Sequence, residues 1–155
     1  MSSPASIAKH PIHSMLVAFP IGLWVFSFVC DLIRLFVSDN PAWSTVAFYC
    51  IGGGIIGALL AAIPGFIDYL SIRDIRAKQI GTFHMILNLC GVALFALNFV
   101  LRMSEGGNPY LPVVLSAITI LAVGVSGWLG GELVYVHGVG VERSSPAKED
   151  IRRAG

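Results

Sequence analysis

Four near-continuous apolar stretches, each about as long as a bilayer crossing, restrict this chain to one class of fold. A hydrocarbon core of roughly 30 Å takes about 20 helical residues to cross. Residues 15–37, 42–67, 80–101 and 110–137 each supply at least that many with few charges. Over the 155 residues, 55% are hydrophobic and 12% charged, with a mean hydropathy of +0.79, which lies outside the range of soluble domains. The pattern predicts an all-α protein, a four-transmembrane-helix up-and-down bundle seated in the lipid bilayer.

The links agree with this. Ser38, Asp39, Asn40 and Pro41 form a turn, residues 68–79 a charged loop, and residues 104–109 a connection rich in Gly and Asn. Short links make neighbouring helices antiparallel, so four crossings return both termini to one side, together with the 68–79 loop. Lys9, Arg73, Arg76, Lys78, Arg143, Lys148, Arg152 and Arg153 fall on that side, against Arg34 and Arg102 opposite. By the positive-inside rule the first side is cytoplasmic, as in a multi-pass protein of a bacterial inner membrane. The formal net charge of +1 gives no reason to expect a nucleic-acid partner. The first apolar stretch is followed by no small-residue cleavage motif and reads as a retained helix. Residues 1–141 form the transmembrane domain and 142–155 a polar cytoplasmic tail.

On this topology all four histidines, His10, His13, His84 and His137, gather at the cytoplasmic interface, where Asp68 ends the second helix. Single interfacial histidines commonly sit among headgroups. Four at one face, with none opposite or in the tail, form a cluster, and imidazole is the usual protein ligand for haem iron and several divalent metals. Gly91 lies seven residues past His84 and Gly130 seven before His137, each on its histidine's face and about 10 Å deeper. A glycine there would leave a groove for a flat macrocycle, although small residues also serve helix packing. The cofactor-binding candidates are therefore His13, His84, His137, Asn88, Gly91 and Gly130. The metal-ligand candidates are His10, His13, Asp68, His84 and His137.

Asn88, one turn inward of His84, is placed to orient that imidazole, to bond a cofactor edge or to bond a neighbouring helix. Glu132, a carboxylate inside a span, is a proton-transfer or supporting candidate. Five residues rotate it about 140° from the face of His137, so the two do not share an ion on a regular helix. Arg73, Arg76 and Lys78 are either haem-propionate partners or plain topology charges. Asp31 and Arg34, at i and i+3, are expected to pair locally. Gly53, Gly57, Ala61 and Gly65, with Gly127 and Gly131, form small-residue stripes for a tight bundle or a dimer face. Pro20 and Pro64 are expected to kink their helices. Cys30, Cys50 and Cys90 match no metal or redox spacing.

The run His10-Pro11-Ile12-His13, the following Leu16-Val17-Ala18-Phe19-Pro20-Ile21-Gly22-Leu23, Asp68-Tyr69, the His84 and Asn88 pair, and Gly130-Gly131-Glu132-Leu133-Val134-Tyr135-Val136-His137-Gly138 resemble a bacterial family of four-helix membrane proteins, domain of unknown function 2231. The resemblance covers roughly residues 8–141 and departs at Ser14, where the family commonly has a second proline. It implies a four-span bundle marked by the polar residues already named. Some relatives are joined to Rieske-type iron-sulfur domains, which implies redox surroundings. Three functions stay open. The first is haem b held by two histidines, His84 with His13 or His137, for electron transfer with quinone or a redox partner protein. The second is a non-haem site for iron, zinc or copper. The third is a cofactor-free accessory subunit of a larger membrane complex, or a homodimer.

Overall fold

Residues 3–104, 108 and 110–141 are described by a computed structural model, and the residue-142 boundary expected for a tail lies at the edge of that region. Ahead of the first span, β1 (Ser6–Ile7) and β2 (His10–Pro11) form a minimal antiparallel hairpin. Its two central residues, Ala8 and Lys9, adopt positive φ of 48° and 70°, the left-handed pair that a two-residue hairpin turn demands. The first span follows as α1 (Ile12–Leu16) and α2 (Ala18–Phe36), separated at Val17. Pro20 accounts for the break: it has no N–H, and its ring crowds the carbonyl of Leu16, where α1 ends.

Next come α3 (Ala42–Ser71), α4 (Ile75–Met103) and α5 (Tyr110–Tyr135). All four spans, Ile12–Phe36 counted as one, are long and apolar enough to cross a membrane, and the protein is an integral membrane protein. The expected loop over 68–79 is mostly helix. Asp68 lies within α3, and only Ile72, Arg73 and Asp74 separate α3 from α4. Charge marks where a chain leaves hydrocarbon, not where its helix stops. Asp74 starts α4 by accepting the Ala77 N–H at 2.8 Å. Gly138, at φ 63°, reverses the chain after α5. Pro64 sits inside α3, which continues through it.

The helices pack chiefly as two hairpins, α2 with α3 and α4 with α5; looser seams join α3 to α4 and α2 to α5, so α2 and α4 are diagonal. The first and last described segments meet at one end: Ser3 Oγ and Ala5 N–H donate to Asp68 Oδ1 (2.6 and 3.2 Å), and Gly140 lies against Pro11 and Ser3. Trp24, Ile51 and Phe95 form the central core, with Trp24 and Phe95 stacked at 4.4 Å. The stripe of Gly53, Gly57 and Gly65 packs as expected, against Leu23, Phe19 and His13. Gly127 does not, since nothing lies within 4 Å of a Cβ placed there. The bundle exterior is apolar, as at Ile63, Phe83, Leu121 and Trp128. That is where lipid, not water, must be the solvent.

The two hairpins repeat one another. His13 faces His84, Trp24 stacks on Phe95 and Asp31 pairs with Arg102, and each pair is separated by 71 positions. Buried Pro20 and Ser27 correspond to buried Gly91 and Asn98 at the same offset. On the partner helices the offset is 65: buried Ala47, Ile51, Gly54 and Ala61 of α3 match buried Pro112, Ser116, Thr119 and Ser126 of α5. Equivalent residues therefore meet across the diagonal, about an approximate two-fold axis along the bundle.

Candidate functional site

His13 leaves α1 toward α3, where its Nδ1 lies 2.8 Å from the Ala61 carbonyl. The ring fits because position 65 carries no side chain; a Cβ on Gly65 would stand 2.5 Å from Nδ1. His84, in the third turn of α4, reaches α5 in the same way: its Nδ1 lies 2.8 Å from the Ser126 carbonyl, beside the notch at Gly130. Both acceptors stand four residues before the glycine that admits the ring. A carbonyl only accepts, so each Nδ1 must carry the proton. In the neutral ring Nε2 is then the lone-pair nitrogen, the form in which a metal-binding histidine is usually held.

The two rings approach across the diagonal, their centres 6.2 Å apart and their planes at 83°. A metal–imidazole bond is about 2 Å and the ring centre lies about 1 Å beyond the nitrogen, so trans imidazoles on one ion have centres about 6 Å apart. The observed spacing would let both rings reach one shared centre, for which His84 Nε2 would have to give up its bond to Asn88. Around His84 the polar shell is fuller: Asn88 Nδ2 donates to Nε2 (3.1 Å) and to the His84 carbonyl (2.9 Å), while Ser126 Oγ lies 3.0 Å from Nδ1 and donates to the same carbonyl at 3.2 Å.

The other candidates lie apart. His10 is exposed on β2. His137 follows α5 with its Nδ1 3.8 Å from the Asp74 carboxylate, and Asp68 is occupied by Ser3 and Ala5. No group of three or more His, Cys, Asp or Glu side chains converges among the described residues. Gly91 is not beneath an imidazole; a Cβ there would touch Val123 and Thr119, so it serves the α4–α5 contact. Gly130 lies against His84 and not, as its spacing implied, below His137. Same-helix spacing misses this because each ring crosses to the neighbouring helix. Half-buried Glu132 makes no side-chain hydrogen bond to another described residue. It follows Trp128 by one turn and precedes Tyr135 by three residues, both largely exposed, and so belongs to the outer side of α5.

At the positively charged end, Lys78 is committed to folding. Its Nζ donates to the Tyr69 carbonyl at 2.6 Å and lies 3.7 Å over that ring. Arg73 and Arg76 are exposed, while Arg143, Lys148, Arg152 and Arg153 are outside the described residues. At the opposite end the expected Asp31–Arg34 pair is replaced by a fork from Arg102 to both Asp31 oxygens. Arg102 Nε also donates to Asn98 Oδ1 (2.8 Å), and Asn98 Nδ2 to the Pro112 carbonyl and Ser116 Oγ. Burial decides the partner: Asp31 is 3% exposed, and only a residue reaching across the bundle meets it there. Between the ends, an apolar groove of about 230 Å³ opens on the α2–α5 seam beside Ile21, Val25, Gly124 and Gly127. Residues missed from sequence are Gly65, Ser126 and the Ala61 carbonyl. The four-residue recurrence ending at Gly65 was the available signal for the first.

No curated protein and no solved structure matches the chain. A match to the family described as "Predicted membrane protein (DUF2231)" spans residues 9–143, covering every span and both histidines of the facing pair, and the chain belongs to that family.

Proposed function

We propose that this protein binds one b-type haem through His13 and His84 and passes electrons near the membrane face that carries the histidines. The observation that carries the reading is the pair itself: two imidazoles on diagonal helices, each with Nδ1 anchored to a backbone carbonyl, 6.2 Å between centres. A bare zinc or iron ion wants at least three protein ligands, whereas haem brings four nitrogens in its macrocycle and asks the protein for two. The scatter of His10, Asp68 and His137 away from the pair favours the second demand. When bound, haem supplies reversible one-electron chemistry at iron.

The chain's own part is preorganisation. The Ala61 and Ser126 carbonyls fix the two rings with Nδ1 as the donor, and the Trp24, Phe95 and Ile51 core closes the bundle interior about three turns deeper. Exposed Arg73 and Arg76 supply positive charge at the same end for haem carboxylates. Positive charge on that end also supports a cytoplasmic orientation in a bacterial inner membrane, where a quinone or a redox protein is the natural electron partner.

Absorption spectroscopy of the purified protein is the test. A Soret band with sharp α and β bands after reduction, lost in the His13→Ala/His84→Ala double variant, is the expected result. Stoichiometric metal without a Soret band would assign the same pair to a bare ion, such as two-coordinate copper. Absence of both would leave a cofactor-free membrane subunit.

A further inference from the structure

The outer side of α5 is unlike its counterpart on α3. Ala117, Leu121, Gly124, Trp128, Gly131 and Tyr135 follow one another at alternating intervals of four and three residues, the spacing that keeps one line of a helix against a parallel neighbour. Small and large residues alternate along that line, and Leu121, Trp128 and Tyr135 are 73, 78 and 89% exposed. At the 65-residue offset α3 carries Gly52, Ile56, Leu59, Ile63, Phe66 and Leu70. Its one glycine is covered by Phe99, 3.0 Å from a Cβ built there, and the others are large apolar groups suited to lipid. On α5 nothing lies within 4 Å of a Cβ built on Gly124 or Gly127, and at Gly131 only Tyr135 of the same helix does, at 4.0 Å. Glycine weakens a helix, and these three admit no other element of their own bundle in return.

We propose that this line is the contact surface for a second copy of the chain, the two α5 helices running parallel about a two-fold axis along the membrane normal. Copies inserted the same way round present the same patch to one another, and a two-fold contact is self-complementary. In a parallel pair with this spacing each side chain of the line enters a hole formed by four residues of the facing helix. The hole that receives Trp128 is made by Gly124, Gly127, Trp128 and Gly131 of the other copy, so the largest knob meets the deepest hole. Gly124 and Gly127 also border the apolar groove of about 230 Å³ on the α2–α5 seam, which gives the incoming indole space. Glu132 is the reason for a copy of this chain and not lipid alone. It is half-buried on a membrane span, and its carboxylate, the Trp128 indole N–H and the Tyr135 hydroxyl make no hydrogen bond among the described residues. The two donors stand four residues before and three after the acceptor, so a parallel copy brings the donors of each helix to the carboxylate of the other. Hydrocarbon offers that carboxylate nothing, whereas close backbone approach and interhelical hydrogen bonds hold helices together in lipid.

The test uses the full chain with Cys30, Cys50 and Cys90 replaced by Ser, in lipid vesicles because detergent competes for the same apolar face. Leu121→Cys, on the line, should form an intermolecular disulfide under copper phenanthroline, while Ile56→Cys, its counterpart on α3, should not. Energy transfer between copies labelled at Ser38→Cys, followed as lipid dilutes them, gives the dissociation constant. Trp128→Ala removes the knob and Gly127→Leu fills the hole, and each should raise that constant at least about tenfold, as loss of a central anchor does. Glu132→Leu should raise it about threefold, the scale of one interhelical hydrogen bond, and Ile63→Ala should leave it unchanged. Trp128 is exposed and Gly127 faces open space, so these variants keep their fold, with helicity by circular dichroism as the check. A chain that is monomeric at every dilution, whether or not another membrane protein covers α5, overturns the proposal. So does a dimer that cross-links equally at Ile56→Cys, or one that neither Trp128→Ala nor Gly127→Leu weakens.

Discussion

Replacing Gly65 with Ala should destabilise this protein, although the same substitution at Gly124 should not. The added Cβ would lie 2.5 Å from His13 Nδ1 and 2.8 Å from Cε1, closer than carbon atoms pack. The ring cannot yield without losing its 2.8 Å bond to the Ala61 carbonyl. Overpacking costs about 1–3 kcal/mol and the lost bond about 1 kcal/mol, while alanine returns about 1 kcal/mol of helix propensity. The net loss is about 1–3 kcal/mol, a fall of several degrees in Tm for a chain of about this length. Gly130→Ala meets His84 Cε1 at 3.1 Å and should be close to neutral, since the ring has only tenths of an ångström to give. Gly124→Ala meets nothing within 4 Å and should gain about 0.5–1 kcal/mol. Thermal unfolding in detergent, read with a thiol-reactive dye at buried Cys30 in a Cys50→Ser/Cys90→Ser background, ranks the three. If Gly65→Ala melts no lower than Gly124→Ala, His13 does not sit in the notch and the facing pair is wrong.

Asp31→Asn and Arg102→Met should each cost about 3–5 kcal/mol, because either leaves a buried group without its partner, and the double variant should cost less than the two combined. Additive losses would show that the fork is not formed. Cysteines placed at Ile7 and Ser38 should react with an impermeant maleimide from opposite faces of the membrane, Ile7 from the cytoplasmic side; labelling of both from one face would contradict the four-span arrangement.

Helix length was the least legible part of the fold, and for an identifiable reason. Charged residues at 68 and 73–78 mark the membrane surface, but α3 and α4 continue past it, since Asp68 finds donors in Ser3 and Ala5 and Asp74 caps the next helix. The site was legible as a collection and not as a geometry. His84, Asn88 and His13 were all marked, yet which glycine served which imidazole was misassigned. Spacing along one helix says nothing about a ring that crosses to another.

Composition and run length alone determine that this chain crosses a membrane four times and brings its histidines to one end, because hydrocarbon tolerates only long apolar helices and sorts charge by side. Only the tertiary structure decides that His13 meets His84, Trp24 meets Phe95 and Asp31 meets Arg102. Those pairs arise from two hairpins packed about a common axis. The residue types at the matched positions differ too much for the repetition to be seen until the helices are placed side by side.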